Sequence, residues 1–114
     1  MDGVGTMVVR LHTLLIFTAI ACYAWAAQAA DIAVDQRNKQ FTPEDIVLRP
    51  GDTLIFTNHD TVTHNIHVID VNGDAQDKGL QKPGEIIRQA FTEPGVYQVR
   101  CHIHPDMILM VTVK

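Results

Sequence analysis

From residue 32 to the end of the chain, apolar and polar side chains alternate with a period of two in short runs. No stretch shows the three-to-four spacing of an amphipathic helix. The runs cover 32–35, 46–48, 53–58, 64–69, 85–91, 96–101 and 108–113, and each is a candidate strand with one face toward a core. Turn residues separate them: Pro50-Gly51-Asp52, Asn72-Gly73, Pro83-Gly84 and Glu93-Pro94-Gly95. Short strands with turns between them predict an all-β chain, a Greek-key β sandwich or barrel of about seven to eight strands. Residues 70–84 have no such alternation and read as a loose loop or one short helical turn. There is no internal repeat, low-complexity segment or linker.

The first thirty residues differ from the rest. Arg10 precedes an apolar run, 11–25, that ends in Ala26-Ala27-Gln28-Ala29-Ala30, the layout of a secretory signal peptide. The run falls short of the roughly 20 residues a spanning helix needs and leads directly into a polar segment, so cleavage is expected rather than a permanent anchor. Ala27 and Ala29 suit the small-residue positions of a cleavage site, which divides the chain into a leader, 1–29, and a mature domain, 30–114. Met7 serves equally well as a start, because residues 1–6 add nothing a leader needs. Acylation at Cys22 is the alternative, but Ala19 stands where a bulky aliphatic residue is expected and no polar tether follows.

The mature part, about 85 residues, suffices for one small domain and not two. Over the whole chain, thirteen acidic residues against nine basic ones, with no basic cluster, argue against nucleic acid and anionic membrane surfaces as partners. Cysteine usage says more. Loss of the leader removes Cys22 and leaves Cys101 alone in a compartment that oxidises thiols, so a single cysteine there calls for a chemical reason.

That reason lies in Cys101-His102-Ile103-His104-Pro105-Asp106-Met107, where a thiolate, an imidazole and a thioether are spaced C-x-x-H-x-x-M. Soft thiolate with imidazoles selects copper, zinc or iron, and two histidines, one cysteine and a distant thioether form an electron-transfer copper site. The remaining donor must come from elsewhere. Strand alternation puts His64, Ile66 and Val68 on one face and Asn65, His67 and Ile69 on the other. If Ile66 and Val68 face the core, so does His64, and a core-facing histidine requires a partner.

Three segments together, Asp60-Thr61-Val62-Thr63-His64-Asn65-Ile66-His67, Pro94-Gly95-Val96-Tyr97 running to Cys101, and Cys101-x-x-His104-Pro105-x-Met107, resemble the cupredoxin family, above all its amicyanin-type blue copper proteins. The resemblance covers nearly all of the mature chain, including Phe41-Thr42-Pro43-Glu44 and Gly51-Asp52-Thr53. It implies one type 1 copper per chain, held by His64, Cys101, His104 and Met107, with Asn65 tying the two ligand segments together. It also implies a monomeric periplasmic carrier of single electrons between a donor and an acceptor redox protein, no enzymatic activity, and the ring edge of His104 as the port. The chain departs from the amicyanin pattern twice. Ile103 stands where proline is usual, so its N–H is expected to reach the Cys101 sulfur and lower the potential relative to Ile103→Pro. Gln81-Lys82-Pro83 replaces a methionine-bearing stretch near the port, so methylamine oxidation is not implied.

Each residue also has an ordinary structural reading. Free cysteine is commonly a buried core residue, and methionines fill cores, with Met110 competing with Met107 for the axial role. His67 faces away from His64, and His59 and His102 read as solvated side chains, although His102 adjoins the cysteine. Three other functions share some of these features. A copper tolerance or delivery protein gains support from His67, His102 and Met110. Structural zinc prefers four close nitrogen or sulfur ligands, for which a thioether is a poor fourth. A cysteine hydrolase needs room for a carbonyl and an oriented third group, and one tight loop offers neither.

Overall fold

The computed structural model describes Gly3, Gly5, Arg10, 12–22 and 28–114. The expected start at Met7 and cleavage position Ala27 lie outside the described residues. Among the described residues nine strands form: β1 (Asp31–Arg37), β2 (Gln40–Thr42), β3 (Asp45–Leu48), β4 (Asp52–Asn58), β5 (His64–Ile69), β6 (Ala75–Gln81), β7 (Ile86–Phe91), β8 (Gly95–Arg100) and β9 (Ile108–Val113). They make a four-stranded sheet, β2-β1-β4-β7, and a five-stranded sheet, β3-β9-β8-β5-β6. Both sheets are mixed: β1 runs parallel to β4 and β3 parallel to β9, and the other pairs are antiparallel. No helix long and apolar enough to cross a membrane occurs among the described residues.

The all-β expectation holds, and the alternating runs became strands because their apolar faces meet between the sheets. Val34, Leu54, Phe56 and Phe91 from one sheet pack with Leu48, Ile66, Val68, Val99, Leu109, Val111 and Val113 from the other. Each fully buried side chain of this kind contributes about 1.5–3 kcal/mol.

Two of the strands, β2 and β6, lie outside the seven alternating runs. Residues 70–84 hold neither a loose loop nor a helical turn; β6 occupies most of that segment, pairing along β5 with a register shift between Asn65 and His67. Six of its seven residues are exposed, so this edge strand has no buried face to leave an alternating pattern. β2 joins β1 by a two-residue loop, Asn38-Lys39, with Arg37 opposite Gln40 and φ of 54° at both loop residues. Positive φ at both positions suits the twist of a tight hairpin.

Two features fix the approach to the cysteine. Gly95 has φ +144°, and a Cβ there would meet Val71 Cγ1 at 2.2 Å, so only glycine fits. Two residues on, the Tyr97 hydroxyl donates to the Glu93 carbonyl at 2.8 Å and pins the start of β8. At the opposite end, Asp52 accepts from Ala30 N–H and Arg49 N–H, both at 2.8 Å, which ties residue 30 to the sandwich.

Candidate metal centre

β5 delivers His64 at its first residue, and β8 ends at Arg100, immediately before Cys101. The loop from there to β9 is short and internally bonded: Met107 N–H donates to the His104 carbonyl at 2.9 Å, and Cys101 N–H reaches the Met107 carbonyl at 3.4 Å. This folds His104 back over Cys101. His64 Nδ1 and His104 Nδ1 stand 3.1 Å apart, and Cys101 Sγ lies 3.9 Å and 3.7 Å from them. Among the described residues, these three form the one set of thiol, imidazole or carboxylate side chains whose donor atoms all fall within 4.8 Å of one another. Two nitrogens about 2 Å and one sulfur about 2.3 Å from a single ion, at trigonal angles, would lie about 3.5 Å (N to N) and about 3.7 Å (N to S) apart. The donor set therefore fits one ion without rearrangement.

His64 is fully buried, as the strand alternation requires, and Asn65 is buried as well, against β6. On the far side of the His64 ring, Nε2 meets the Asp60 carboxylate at 2.6 Å. Asp60 opens the segment that carries the family resemblance, but its role behind His64 was not read from the sequence. Its carboxylate also accepts the N–H groups of Asn38, at 2.6 Å, and Lys39, at 2.9 Å, the two residues of the β1–β2 turn. With Nε2–H donating to a carboxylate, the proton is fixed there and the Nδ1 lone pair faces Cys101 and His104. Burial raises the Asp60 pKa, but the Lys39 N–H, His64 and the Asn38 N–H outweigh it, and the carboxyl titrates below its ordinary 3.8. Only its position four residues before His64 could have marked it in the sequence.

Asn65 holds the cysteine side. Its backbone N–H donates to Cys101 Sγ at 3.3 Å, and its side-chain carbonyl accepts His102 N–H at 3.3 Å. Its side-chain amide donates to Asp77 Oδ1 at 2.7 Å and to the Gly79 carbonyl at 3.0 Å. One residue thus joins β5, β6 and the Cys101 loop. The Ile103 N–H makes no hydrogen bond to the sulfur, contrary to expectation, and Ile103 is instead an exposed apolar residue of the loop surface. The physical ground for a lower potential at Ile103 is accordingly absent.

His104 is partly exposed. Burial, then the neighbouring His64 and Lys39, lower its pKa below 6.5, with Asp60 opposing, so its imidazole is neutral and available as a donor at neutral pH. Met107 is fully buried at the end of the loop, whereas Met110 sits on the half-buried outer face of β9 with Ile108, as alternation requires. His67, expected to face away from His64, is apart from the donor set, and so is His102, which is exposed.

A β sandwich presenting one thiolate and two imidazoles at these separations, with a thioether in the same loop, is a mononuclear site for a soft or borderline transition metal. The chain belongs to the family of copper binding proteins described as the plastocyanin/azurin family, which matches residues 28–114. It is 34% identical to amicyanin of Paracoccus denitrificans over 93 residues, covering 78% of this chain and 71% of that one. It is also 27% identical over 96 residues to the methylamine utilization protein MauL of Methylorubrum extorquens, covering 84% of each. Among solved structures, a reduced Cu(I) amicyanin variant superposes with a TM-score of 0.68 at 29% identity, over 80% of this chain and 88% of the other. The cofactor is one type 1 copper, and the donor set of this chain fits it.

Proposed function

We propose that the protein is a periplasmic carrier of single electrons, with His64, Cys101 and His104 as the close copper ligands and Met107 as the axial one. The observation that carries this reading is the convergence of two imidazole nitrogens and one thiol sulfur within 3.9 Å of one another in a hydrogen-bonded frame. Copper supplies a Cu(II)/Cu(I) couple there, and the protein supplies constancy. Asp60 orients one imidazole, Asn65 holds the sulfur, and the short loop holds the other imidazole, so the ligands move little between oxidation states. No bond is made or broken in such a function.

Residues 1–29 act as a cleaved export leader in this reading, and 30–114 is the mature domain; the Ala30 to Asp52 hydrogen bond supports a domain that begins there. His104 is the electron port, because among the four ligands it is the one that reaches the surface, beside exposed Ile103. The partners are a donor and an acceptor redox protein, met by a monomer, with no nucleic acid and no stable membrane insertion. Adding Cu(II) to the protein is expected to give an intense thiolate-to-copper visible band at one copper per chain, bleached reversibly by ascorbate. A colourless product, or release of copper on reduction, would overturn the carrier reading. Copper tolerance or delivery is the second reading, favoured by the extra imidazoles His67 and His102 beside the site. Slow electron self-exchange with easy copper release would select it.

A further inference from the structure

His64 begins β5 directly after the short connection 59–63 from β4, and two buried amides hold that connection from either side. Asn58, the last residue of β4, is fully buried and commits its whole side chain there. Its Nδ2 donates to the Val62 and Gln81 carbonyls, both at 2.9 Å, and its Oδ1 accepts the Asp60 N–H at 2.9 Å. Gln81, the last residue of β6, pairs opposite His64 and is also fully buried. Its Nε2 donates to the Phe56 carbonyl at 2.9 Å and to the Glu85 carbonyl at 2.7 Å. Phe56 and Asn58 belong to the four-stranded sheet and Gln81 to the five-stranded one, so the two amides lace the sheets together where the ligand enters. Gln81 Oε1 is covered and has no hydrogen-bond partner.

A side chain that leaves a buried acceptor unpaired destabilises the fold, and leucine would fill similar space without that penalty. What leucine lacks is donors, so the Gln81 amide is explained by the two carbonyls it satisfies at the seam between the sheets. Asn58 works at shorter reach. Its Oδ1 fixes the backbone of Asp60, whose carboxylate grips His64 Nε2, and its Nδ2 fixes Val62, two residues before His64. Neither amide hydrogen-bonds the imidazole. We propose that Asn58 and Gln81 are positioning residues of the copper centre, which hold His64 in one place through the backbone that carries it and through Asp60. The inference rests on His64 as a copper ligand. With either amide lost, His64 follows the ion's preference in each oxidation state, so copper binds less tightly and electron exchange slows.

The test compares the full chain with Asn58→Asp, which keeps the shape but removes both donors, and with Gln81→Leu. In the metal-free protein, nuclear magnetic resonance should show the His64 Nε2–H exchanging slowly with water, and about tenfold faster or more in each variant. In the copper-loaded protein, each variant should lose about 10–100-fold in copper affinity by competition assay and show slower electron self-exchange. Val113→Ala, at the far end of β9, is the control for general destabilisation: it should lower the unfolding midpoint and leave the His64 exchange and copper affinity unchanged. If Asn58→Asp does not fold, Gln81→Leu decides alone. Variants that match the wild type in proton exchange and copper affinity, or a Val113→Ala control that moves both as far as they do, would overturn the positioning role. A wild type with no visible copper band would instead overturn the carrier reading beneath it, whatever the proton exchange shows.

Discussion

His64 and His104 face each other across 3.1 Å, yet the protein holds them in opposite ways. His64 is fully buried on a strand and is gripped from behind by a carboxylate that the β1–β2 turn itself holds in place. His104 sits in the seven-residue connection between β8 and β9, is partly exposed, and takes its position from the local turn that Met107 closes. One side fixes geometry and the other gives access. An electron carrier needs both, because a fully enclosed site would be insulated and a fully exposed one would exchange its ligands with water.

Removing the atom that both sides share breaks the comparison most completely. Cys101→Ala should eliminate the visible charge-transfer band while leaving the sandwich folded, as read by absorption and far-ultraviolet circular dichroism. The next test separates the two histidines. His64→Ala and His104→Ala should each abolish tight copper binding. Added imidazole should restore colour in His104→Ala, whose site opens to solvent, and fail in His64→Ala, whose cavity is closed. Equal rescue of both would show that the two sides do not differ in access.

Asp60→Asn weakens only the grip, and a loss of about 10–100-fold in copper affinity is expected from a competition assay. The two sides should also respond to acid in separate windows. The His104 pKa is lowered from 6.5, so copper affinity should begin to fall as pH drops below that value, where protons compete for its nitrogen. The Asp60 pKa is lowered from 3.8, so its contribution to stability is present above that pH and is lost only as pH falls further through the folded-state value. In Asp60→Asn the second, more acidic step in a stability-versus-pH curve should shrink. The smallest effect is expected from Ile103→Pro, since no Ile103 N–H bond to the sulfur exists to be lost. Its reduction potential should match the wild type.

The parts of the fold that were legible in the sequence are those with one buried face. β4 alternates buried and half-buried residues from Asp52 to Asn58, and β9 does the same from Ile108 to Val113, so a period of two marks each. β6 escaped because Gln76, Asp77 and Lys78 are all exposed, and an edge held by backbone pairing leaves no hydrophobic trace. Cys101 and His104 were legible because loop spacing alone brings them together. His64 was legible because its strand phase pointed it inward. Asp60 was not, since its function depends on two N–H groups more than twenty residues away, presented by a turn whose backbone angles no residue type spells out. The Ile103 expectation failed for a related reason. A backbone donor gained by losing proline is visible in sequence, but the direction in which it points is not.

The grip on His64 is built from main-chain N–H groups, and that gives it a particular inheritance. Every amino acid except proline carries the donor that Asn38 and Lys39 contribute. Side chains at these two positions can therefore drift over generations without touching the ligand, provided the turn keeps its left-handed backbone. Selection would then act on the shape of the hairpin rather than on its lettering.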